Sequence, residues 1–387
     1  MNTKAFETYE SDVRSYCRSF PTVFVKAKGS VMTDEDGKEY IDLSSGIAVN
    51  TFGMADKELI SAITEQLNKC QHTSNLYYTD PCIKLAELIC EKTGFKKVFF
   101  GNSGAEANEC AIKVARKYGF EKKGEEYFNI ITLKNSFHGR TITTLAATGQ
   151  DVFHKDFLPL TEGFLYAEAN NLGSVEKLVE ENKVCAIMME TIQGEGGVNV
   201  LTDEFVEGVY KLCQEKDILL IIDEVQTGNG RSGKLYSFMH YNIVPDIFTT
   251  AKGLGAGLPI GAAVLNEKVE YTLKASDHGS TFGGNPVCCA GAVNVISRLD
   301  EEFLKSVTEK SEYIFSELSK AEGVISVSGR GLMIGVETEK DAGEVIKKAM
   351  ELGILPLKAK NKVRLLPPLN ISFENLKKAI EILKKAM

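Results

Sequence analysis

The stretch LLIIDEVQTGNGRSGKL (residues 219–235) sets a continuous apolar run directly before an acidic residue and a glycine-rich loop. Such an apolar run is typical of a strand buried on both faces, as in a parallel sheet covered by helices. The loop also carries two overlapping phosphate-binding patterns. Gly228, Gly230 and Gly233 spell G-x-G-x-x-G, and residues 228–234 spell G-x-x-x-x-G-K. The stretch therefore predicts an α/β fold and raises the question of a nucleotide site.

Both nucleotide interpretations fail on neighbouring residues. A P-loop needs Ser or Thr after its lysine to hold magnesium, whereas Leu235 follows Lys234 here. A dinucleotide fingerprint needs a helix that opens at the glycines, early in the first β-α-β unit. The following segment is soon interrupted by Pro245, and the loop begins far along the chain. We therefore expect these glycines to permit a tight turn beneath a different ligand.

Apolar strand-like runs alternate with helical stretches on both sides of this segment, which predicts a mostly parallel central sheet with helices on both faces. Before them the chain shows short alternating strands with a turn at Asp36-Gly37, and after them a smaller α/β region. We predict an N-terminal segment (1–50) packed with the small domain, a large domain (51–285) and a C-terminal small domain (286–387).

Composition excludes several classes of function. The formal net charge is −8 over 387 residues, and nothing forms the basic patch that nucleic acid requires. The five histidines lack ligand spacing, so no metal is expected. No apolar run is long enough for a membrane span, and the N-terminus lacks the apolar region of a signal peptide. With nine cysteines and no C-x-x-C pair, we expect a cytoplasmic protein with reduced thiols.

Three groups at predicted strand ends carry the chemistry, because ligands collect at the carboxyl ends of parallel strands. Residues 103–105 open a helix and would offer backbone N–H groups to a phosphate. Asp223 ends the most apolar strand, and Lys252 follows another apolar run. Alone, each has a structural alternative: Ser103 as a helix cap, Asp223 in a salt bridge, Lys252 as an ordinary lysine. Together they meet the three demands of pyridoxal 5′-phosphate: an anchored phosphate, a paired ring nitrogen and a Schiff-base lysine.

With this set in view, the chain resembles the class III (subgroup II) aminotransferases, a family of fold-type I pyridoxal-phosphate enzymes. The resemblance spans nearly the whole chain and rests on motifs in a fixed order. They are NSGAEANE (102–109), FHGRT (137–141), ETIQGEGGV (190–198), DEVQTGNGRSGKL (223–235), DIFTTAKGLGAGLPIGA (246–262), GSTFGGNPV (279–287) and RLLPPL (364–369).

The resemblance implies a role for each matching residue. Lys252 would hold the cofactor and shuttle the proton, Asp223 would pair with the ring nitrogen, and Glu190 would act in catalysis with them. The cofactor-binding set it implies is Ser103, Gly104, Ala105, Phe137, Asp223, Val225, Gln226, Lys252 and Thr281. Thr281 would bind the phosphate in a neighbouring subunit, so a homodimer with shared active sites is expected.

The substrates implied are an amino donor and 2-oxoglutarate. Arg140 would bind a substrate carboxylate, with Ser280 beside the substrate, and Arg364 would bind the α-carboxylate of glutamate or 2-oxoglutarate. Glu190 would pair with Arg364 while the other substrate is bound and then swing aside; a plain buried ion pair is the alternative.

One position bears on the amino donor. Ornithine aminotransferases carry a tyrosine where this chain has Gly46, which leaves room for an acylated amine. The resemblance therefore implies transfer of the terminal amino group of N2-acetylornithine to 2-oxoglutarate, giving N-acetylglutamate 5-semialdehyde and glutamate, a step of arginine biosynthesis. Succinylornithine, succinyl-diaminopimelate, ornithine and 4-aminobutyrate stay open as alternative donors.

Overall fold

The computed structural model describes residues 22–387. The expectation that no signal peptide is present concerns residues outside that range. Among the described residues, no helix combines the length and the apolar character needed to cross a membrane.

The described chain alternates strands and helices. The strands are β1 (Phe24–Lys28), β2 (Val31–Asp34), β3 (Glu39–Asp42), β4 (Lys97–Gly101), β5 (Asn129–Leu133), β6 (Phe164–Ala167), β7 (Val184–Met189), β8 (Ile192–Gln193), β9 (Asn199–Val200), β10 (Leu219–Asp223), β11 (Ile247–Thr250), β12 (Gly261–Leu265), β13 (Val324–Arg330), β14 (Met333–Thr338), β15 (Ile354–Leu355), β16 (Leu357–Ala359) and β17 (Lys362–Leu365). Apart from a left-handed turn at residues 45–48, the α-helices of the described residues are α1 (Lys57–Lys69), α2 (Asp80–Thr93), α3 (Gly104–Lys123), α4 (Ile142–Ala147), α5 (Asp151–His154), α6 (Leu172–Glu181), α7 (Asp203–Lys216), α8 (Pro286–Arg298), α9 (Glu301–Leu318), α10 (Ala342–Glu351) and α11 (Phe373–Ala386). Two 3-10 turns lie at Ser237–His240 and Lys252–Leu254.

A seven-stranded sheet in the order β4-β12-β11-β10-β7-β5-β6 forms the centre of the molecule. Neighbouring strands from β11 to β6 pair in parallel, whereas β12 runs antiparallel to both β11 and β4. The predicted mostly parallel α/β sheet is therefore confirmed. The reversed β12 was not foreseen, because its apolar run GAAVL has no directional signal in its residues.

Alternate residues of β10 explain why the whole strand is apolar. Leu220 and Ile222 belong to one core cluster, while Leu219 and Ile221 belong to a second cluster on the opposite face. All five residues of the strand are buried. A strand covered on both faces excludes polar residues until its end, and Asp223 stands at that end.

Two four-stranded sheets lie outside the central one. One has the order β13-β14-β17-β16. In the other, the order is β1-β2-β3-β15, so the start of the described chain pairs with a strand from its last forty residues. The domain boundaries at residues 50 and 285 stay a prediction, since the strand order alone does not divide the chain into units.

Capping residues fix where the main helices begin. Thr202 Oγ1 accepts a hydrogen bond from Phe205 N at the start of α7, and Asp300 does the same for Phe303 N at α9. At the far end of α2, Gly94 takes a left-handed conformation with φ of 78°.

A short helical turn at residues 45–48 is left-handed, with φ between 48° and 64° at all four residues. Such backbone is costly for residues that carry a Cβ atom. The Asp42 carboxylate stabilises its start by accepting hydrogen bonds from Ser44 N and Ser45 N. Gly46, the predicted donor-selecting position, is exposed within this turn.

Candidate active site

The start of α3 forms one end of a cavity of about 380 Å³. Ser103 caps the helix, its Oγ accepting from Glu106 N at 3.2 Å, and Gly104 is the first helical residue. A Cβ atom on Gly104 would lie 2.6 Å from Val225 Cγ1, so only glycine allows this approach. Ser103, Gly104, Ala105 and Val225 all line the cavity. The first backbone N–H groups of a helix have no partner within it and suit an anion such as phosphate.

Asp223 lies at the carboxyl end of β10 and also lines the cavity. Its side chain is fixed by three contacts: Asn108 Nδ2 donates to Oδ2 at 2.8 Å, His138 Nδ1 lies 2.8 Å from the same atom, and Val225 N donates to Oδ1 at 3.0 Å. Asn108 is itself held by Thr249, whose hydroxyl donates to Asn108 Oδ1 at 2.6 Å. The carboxylate is therefore oriented before any ligand arrives. Such a group suits a cationic ring nitrogen.

Lys252 follows β11 and lines the same cavity, half-buried, with φ of 45°. Burial lowers the pKa of its amine, while the carboxylates of Glu195 and Asp223 oppose that shift. A lowered pKa leaves more of the amine unprotonated, and the unprotonated amine is the nucleophile that a carbonyl compound requires.

Phe137 and Arg140 reach the cavity from the loop after β5. The Arg140 guanidinium carbon lies 5.6 Å from the Phe137 ring centroid and 4.7 Å from that of Phe153, in cation–π contact. The two rings meet edge to face at 5.8 Å. The Phe137 ring is thus available as an apolar cover, and the aromatic pair orients the guanidinium at the cavity wall.

Arg364 on β17 is buried and pairs with Glu195, not with Glu190 as predicted. Its Nη1 donates to Glu195 Oε1 at 2.7 Å and to Gln226 Oε1 at 3.2 Å. Its Nε is also buried and has no hydrogen-bond partner anywhere in residues 22–387. Burial acts to raise the pKa of Glu195, but the charge and hydrogen bond of Arg364 outweigh it and hold that pKa below its usual value.

The predicted pairing of Glu190 with Arg364 is therefore wrong for this structure. Both oxygens of Glu190 bind backbone instead: Phe137 N donates to Oε2 at 3.0 Å and Gly194 N to Oε1 at 3.3 Å. Burial raises the pKa of Glu190 to about 7, with His138 opposing that rise and Asp223 adding to it. The Glu190 carboxylate is thus held by two backbone N–H groups, and Glu195 is the carboxylate that pairs with Arg364.

Ser280 and Thr281 stand apart from this cavity. Ser280 Oγ accepts from Asn102 Nδ2 at 3.0 Å, and Asn102 lines the cavity, so Ser280 touches the site through one residue. Thr281 is exposed and does not line it. The structure thus brings Ser103, Gly104, Ala105, Phe137, Arg140, Glu190, Asp223, Val225, Gln226 and Lys252 together in one cavity, with Arg364 attached through Glu195 and Gln226.

Three residues at the site were missed from sequence: Glu195, Asn108 and His138. Each lies inside a motif that the sequence analysis quoted. The sequence signal for Glu195 was its place between glycines in GEGG, which puts a carboxylate in a glycine-rich stretch of a motif already identified. Asn108 could have been found from α3 periodicity, since it lies one turn beyond Gly104 on the inner face.

The residues that line the cavity fit pyridoxal 5′-phosphate. Close backbone approach at Gly104 gives a phosphate cradle, Asp223 faces the cavity for a ring nitrogen, Lys252 supplies an amine and Phe137 an apolar cover. No group of three or more His, Cys, Asp or Glu residues able to hold a metal ion occurs within the described range.

Comparisons with known proteins agree with this chemistry. The sequence profile of the family Aminotransferase class-III matches residues 14–387. The acetylornithine aminotransferase of Haemophilus ducreyi is 48% identical over 370 residues, which are 95% of this chain and 94% of that protein. The protein of the same name from Caldanaerobacter subterraneus is 46% identical, covering 94% of each chain.

Solved structures of aminotransferases also match this chain over nearly its whole length. The ornithine aminotransferase of Toxoplasma gondii has a TM-score of 0.91 and 32% identity, covering 100% of this chain and 98% of that one. A second structure of it, 31% identical with a TM-score of 0.91, covers 100% and 97% and has partial occupancy of pyridoxal phosphate at its active site. The N-acetylornithine aminotransferase of Stenotrophomonas maltophilia has a TM-score of 0.84 and 34% identity, covering 97% and 98%.

Proposed function

This chain belongs to the class-III aminotransferase family, and on that premise we propose that it moves the terminal amino group of N2-acetylornithine to 2-oxoglutarate. The products are N-acetylglutamate 5-semialdehyde and glutamate, and the reaction is a step of arginine biosynthesis. The observation that carries the proposal is a single cavity with a phosphate cradle, Asp223 and Lys252, and with Arg140 and the Arg364–Glu195 pair beside them.

The enzyme uses pyridoxal 5′-phosphate, as its family does. When bound, this cofactor supplies an aldehyde that condenses with amines and a protonated ring that withdraws electrons from the substrate carbon. Backbone N–H groups at Gly104 and Ala105 would bind the phosphate, and Val225 lies against Gly104. Gln226 would contact the ring hydroxyl and Phe137 would cover the ring face.

Asp223 and Lys252 carry out the proton chemistry. The Asp223 carboxylate, held by Asn108 and His138, keeps the proton on the ring nitrogen by offering it a fixed negative charge. Lys252 Nζ would take the proton from the substrate carbon that bears the amine and deliver it to the cofactor carbon bonded to the transferred nitrogen. Burial of the Lys252 amine lowers its pKa, which leaves more of the amine unprotonated and able to accept a proton.

Two guanidinium groups distinguish the two substrates by the carboxylates that they bind. Arg140, steadied by Phe137 and Phe153, binds the carboxylate of the acylated donor and the distal carboxylate of 2-oxoglutarate. Arg364 binds the α-carboxylate of glutamate or 2-oxoglutarate through its fork of donors. While the donor is bound, Glu195 neutralises Arg364 at 2.7 Å, so the buried guanidinium is never left without an anion.

A second copy of this chain completes the enzyme as a homodimer. Large apolar side chains are exposed beside Thr281: Leu76 at 84%, Tyr78 at 93% and Phe282 at 60% exposure. Asn75 Nδ2 ties this segment to the Thr281 loop by donating to Ser280 O at 2.6 Å and Gly283 O at 3.0 Å. An apolar surface of this kind suits a partner subunit, whose cofactor phosphate Thr281 would reach. Analytical ultracentrifugation tests this, and a monomer at micromolar concentration contradicts it.

The location is proposed to be the cytoplasm, where thiols stay reduced. All cysteines among residues 22–387 are free thiols, which suits a reducing compartment. Labelling of intact cells with an impermeant thiol reagent is expected to leave the protein unmodified.

A donor panel assayed with 2-oxoglutarate tests the choice of substrate. N2-acetylornithine should give the highest kcat/KM, ahead of succinylornithine, succinyl-diaminopimelate, ornithine and 4-aminobutyrate. The reason is that Gly46 offers no side chain to bind a free α-amino group. Ornithine as the best donor contradicts the argument from Gly46 but leaves the aminotransferase chemistry in place.

A further inference from the structure

The glycine loop at residues 228–234 plays no part in the chemistry described above. It begins two residues after Gln226, has positive φ at Gly230 (85°) and Gly233 (90°), and ends before the 3-10 turn Ser237–His240. Its far end is fixed by the buried Glu224 carboxylate, which accepts from Ser237 N and Phe238 N at 2.8 and 2.7 Å.

Arg231 lies at the middle of this loop with only 3% of its surface exposed. Its Nη1 donates to two backbone carbonyls, Leu332 O at 3.0 Å and Pro367 O at 2.6 Å. Its own carbonyl accepts from Leu332 N at 2.9 Å. The contact is so close that a Cβ atom on Gly331 would lie 2.4 Å from Arg231 O. A buried arginine thus joins the loop to two segments more than a hundred residues away.

Both segments lie at one end of the pair formed by β14 and β17, the strand that carries Arg364. Leu332 immediately precedes β14, and Pro367 lies just past the end of β17. These two strands pair antiparallel, with Gly335 opposite Arg364. Arg231 therefore holds one end of this strand pair, while Gln226, two residues before the glycine loop, accepts a hydrogen bond from Arg364 itself.

We infer that Arg231 is a positioning residue that sets Arg364 for binding the α-carboxylate of glutamate and 2-oxoglutarate. The inference rests on the proposed function of Arg364. The chain from Gln226 to Arg231 connects the two: Gln226 contacts the Arg364 side chain, and Arg231 holds the backbone at Pro367, three residues beyond Arg364. Burial lowers the pKa of the Arg231 guanidinium, and the negative charge of Asp42, at the end of β3, acts against that shift and favours the charged form.

Arginine is suited to this task where lysine is not. A planar guanidinium donates in fixed directions to two carbonyl oxygens, whereas one ammonium on a flexible stem reaches them without a set geometry. The substitution Arg231→Lys keeps the charge and the fold while loosening the position of the β14–β17 end. Arg231→Met would leave two buried carbonyls without a donor and is a harsher second variant.

Lys310 on α9 provides a matched control. It is also buried, and its Nζ donates to Leu369 O at 2.8 Å, two residues beyond Pro367. Its hydrogen bonds go to Leu369 and Ser306, and not to the glycine loop or to Arg364. Lys310→Met therefore removes a buried cation from the same segment without disturbing the contact in question.

The experiment measures the two half-reactions of the holoenzyme separately, together with binding of glutarate by calorimetry. Glutarate carries the two carboxylates of 2-oxoglutarate but no reactive carbonyl. In Arg231→Lys, the KM for glutamate and 2-oxoglutarate and the Kd for glutarate should rise about tenfold. The donor half-reaction should change less than about twofold, because its carboxylate is read by Arg140. Lys310→Met should lower the Tm without this selective effect.

Three results decide the inference. Equal changes in both half-reactions, no change at all, or the same selective effect in Lys310→Met overturn it, provided that the unmutated enzyme binds glutarate and turns over glutamate. An unmutated enzyme that does neither contradicts the proposed function, and the inference falls with it. Should Arg231→Met fail to fold, Arg231→Lys alone gives the comparison.

Discussion

The two ends of the active site are built in different ways. At the cofactor end, Gly104, Asp223 and Lys252 each follow a strand of one central sheet and are fixed by backbone geometry or buried hydrogen bonds. At the carboxylate end, Arg364 comes from a separate sheet and is met by Glu195 and Gln226 from two loops. The cofactor end is thus fixed by the sheet itself, whereas the carboxylate end depends on contacts between distant segments.

This difference has a kinetic consequence. Changes at the cofactor end should slow both half-reactions together, since the same groups serve each. Changes at the carboxylate end should separate the two half-reactions, since only one of them uses Arg364. The four variants below test that contrast, from the largest expected effect to the smallest.

Lys252→Ala removes the amine on which the cofactor end depends. Both half-reactions should slow by on the order of 10⁴-fold or more, and borohydride should no longer trap a covalent adduct between protein and cofactor. Mass spectrometry of the borohydride-treated protein measures this directly. A trappable adduct in the variant would place the nucleophile at another lysine.

Asp223→Asn keeps the shape of the side chain but removes its charge. Both half-reactions should slow by about 10²-fold, because a neutral amide no longer favours a protonated ring nitrogen. The absorption spectrum of the bound cofactor should change as well. A variant in which only the glutamate half-reaction slows would contradict the proposed difference between the two ends.

Glu195→Gln removes the anion that neutralises Arg364. The ratio of kcat/KM for glutamate to kcat/KM for the donor should rise about tenfold, because the guanidinium no longer exchanges an ion pair for the substrate carboxylate. Glu190→Gln is the matched control and should leave that ratio unchanged. A shift of the ratio in Glu190→Gln instead would restore the pairing expected from sequence.

Glu190 should also give a pH signature in stability. The folded enzyme holds its proton up to a pKa of about 7, above the value of the unfolded chain, so between about pH 4.5 and 7 the folded state binds more protons. Rising pH therefore removes stability through this window, by about 3 kcal/mol at most. In Glu190→Gln that component is absent, so the free energy of unfolding of the unmutated enzyme should fall relative to that of the variant from pH 5 to 7. Chemical unfolding at pH 5, 6 and 7 measures it, and a pH-independent difference contradicts the raised pKa.

Sequence reasoning succeeded where the chemistry is local. A buried strand followed by Asp223, and a helix start at Gly104, are readable because strand, turn and functional group are contiguous. It failed at Glu195, because Glu190 and Glu195 stand in one motif and only the folded loop shows which of them faces Arg364. The antiparallel direction of β12 was not predicted for a related reason: strand direction is set by the path of the connecting loops and not by the strand residues.

The pairing of β3 with β15 has a consequence for the order in which the protein is made. On the ribosome, the seven strands of the central sheet have all been synthesised once residue 265 is added. The sheet that begins with β1 must wait for β15, and Asn375 Nδ2 donates to Ser30 Oγ, 345 residues earlier. A nascent chain can therefore assemble its central sheet while β3 still lacks its partner β15, and Arg364 on β17, which the glutamate half-reaction needs, is added only afterwards.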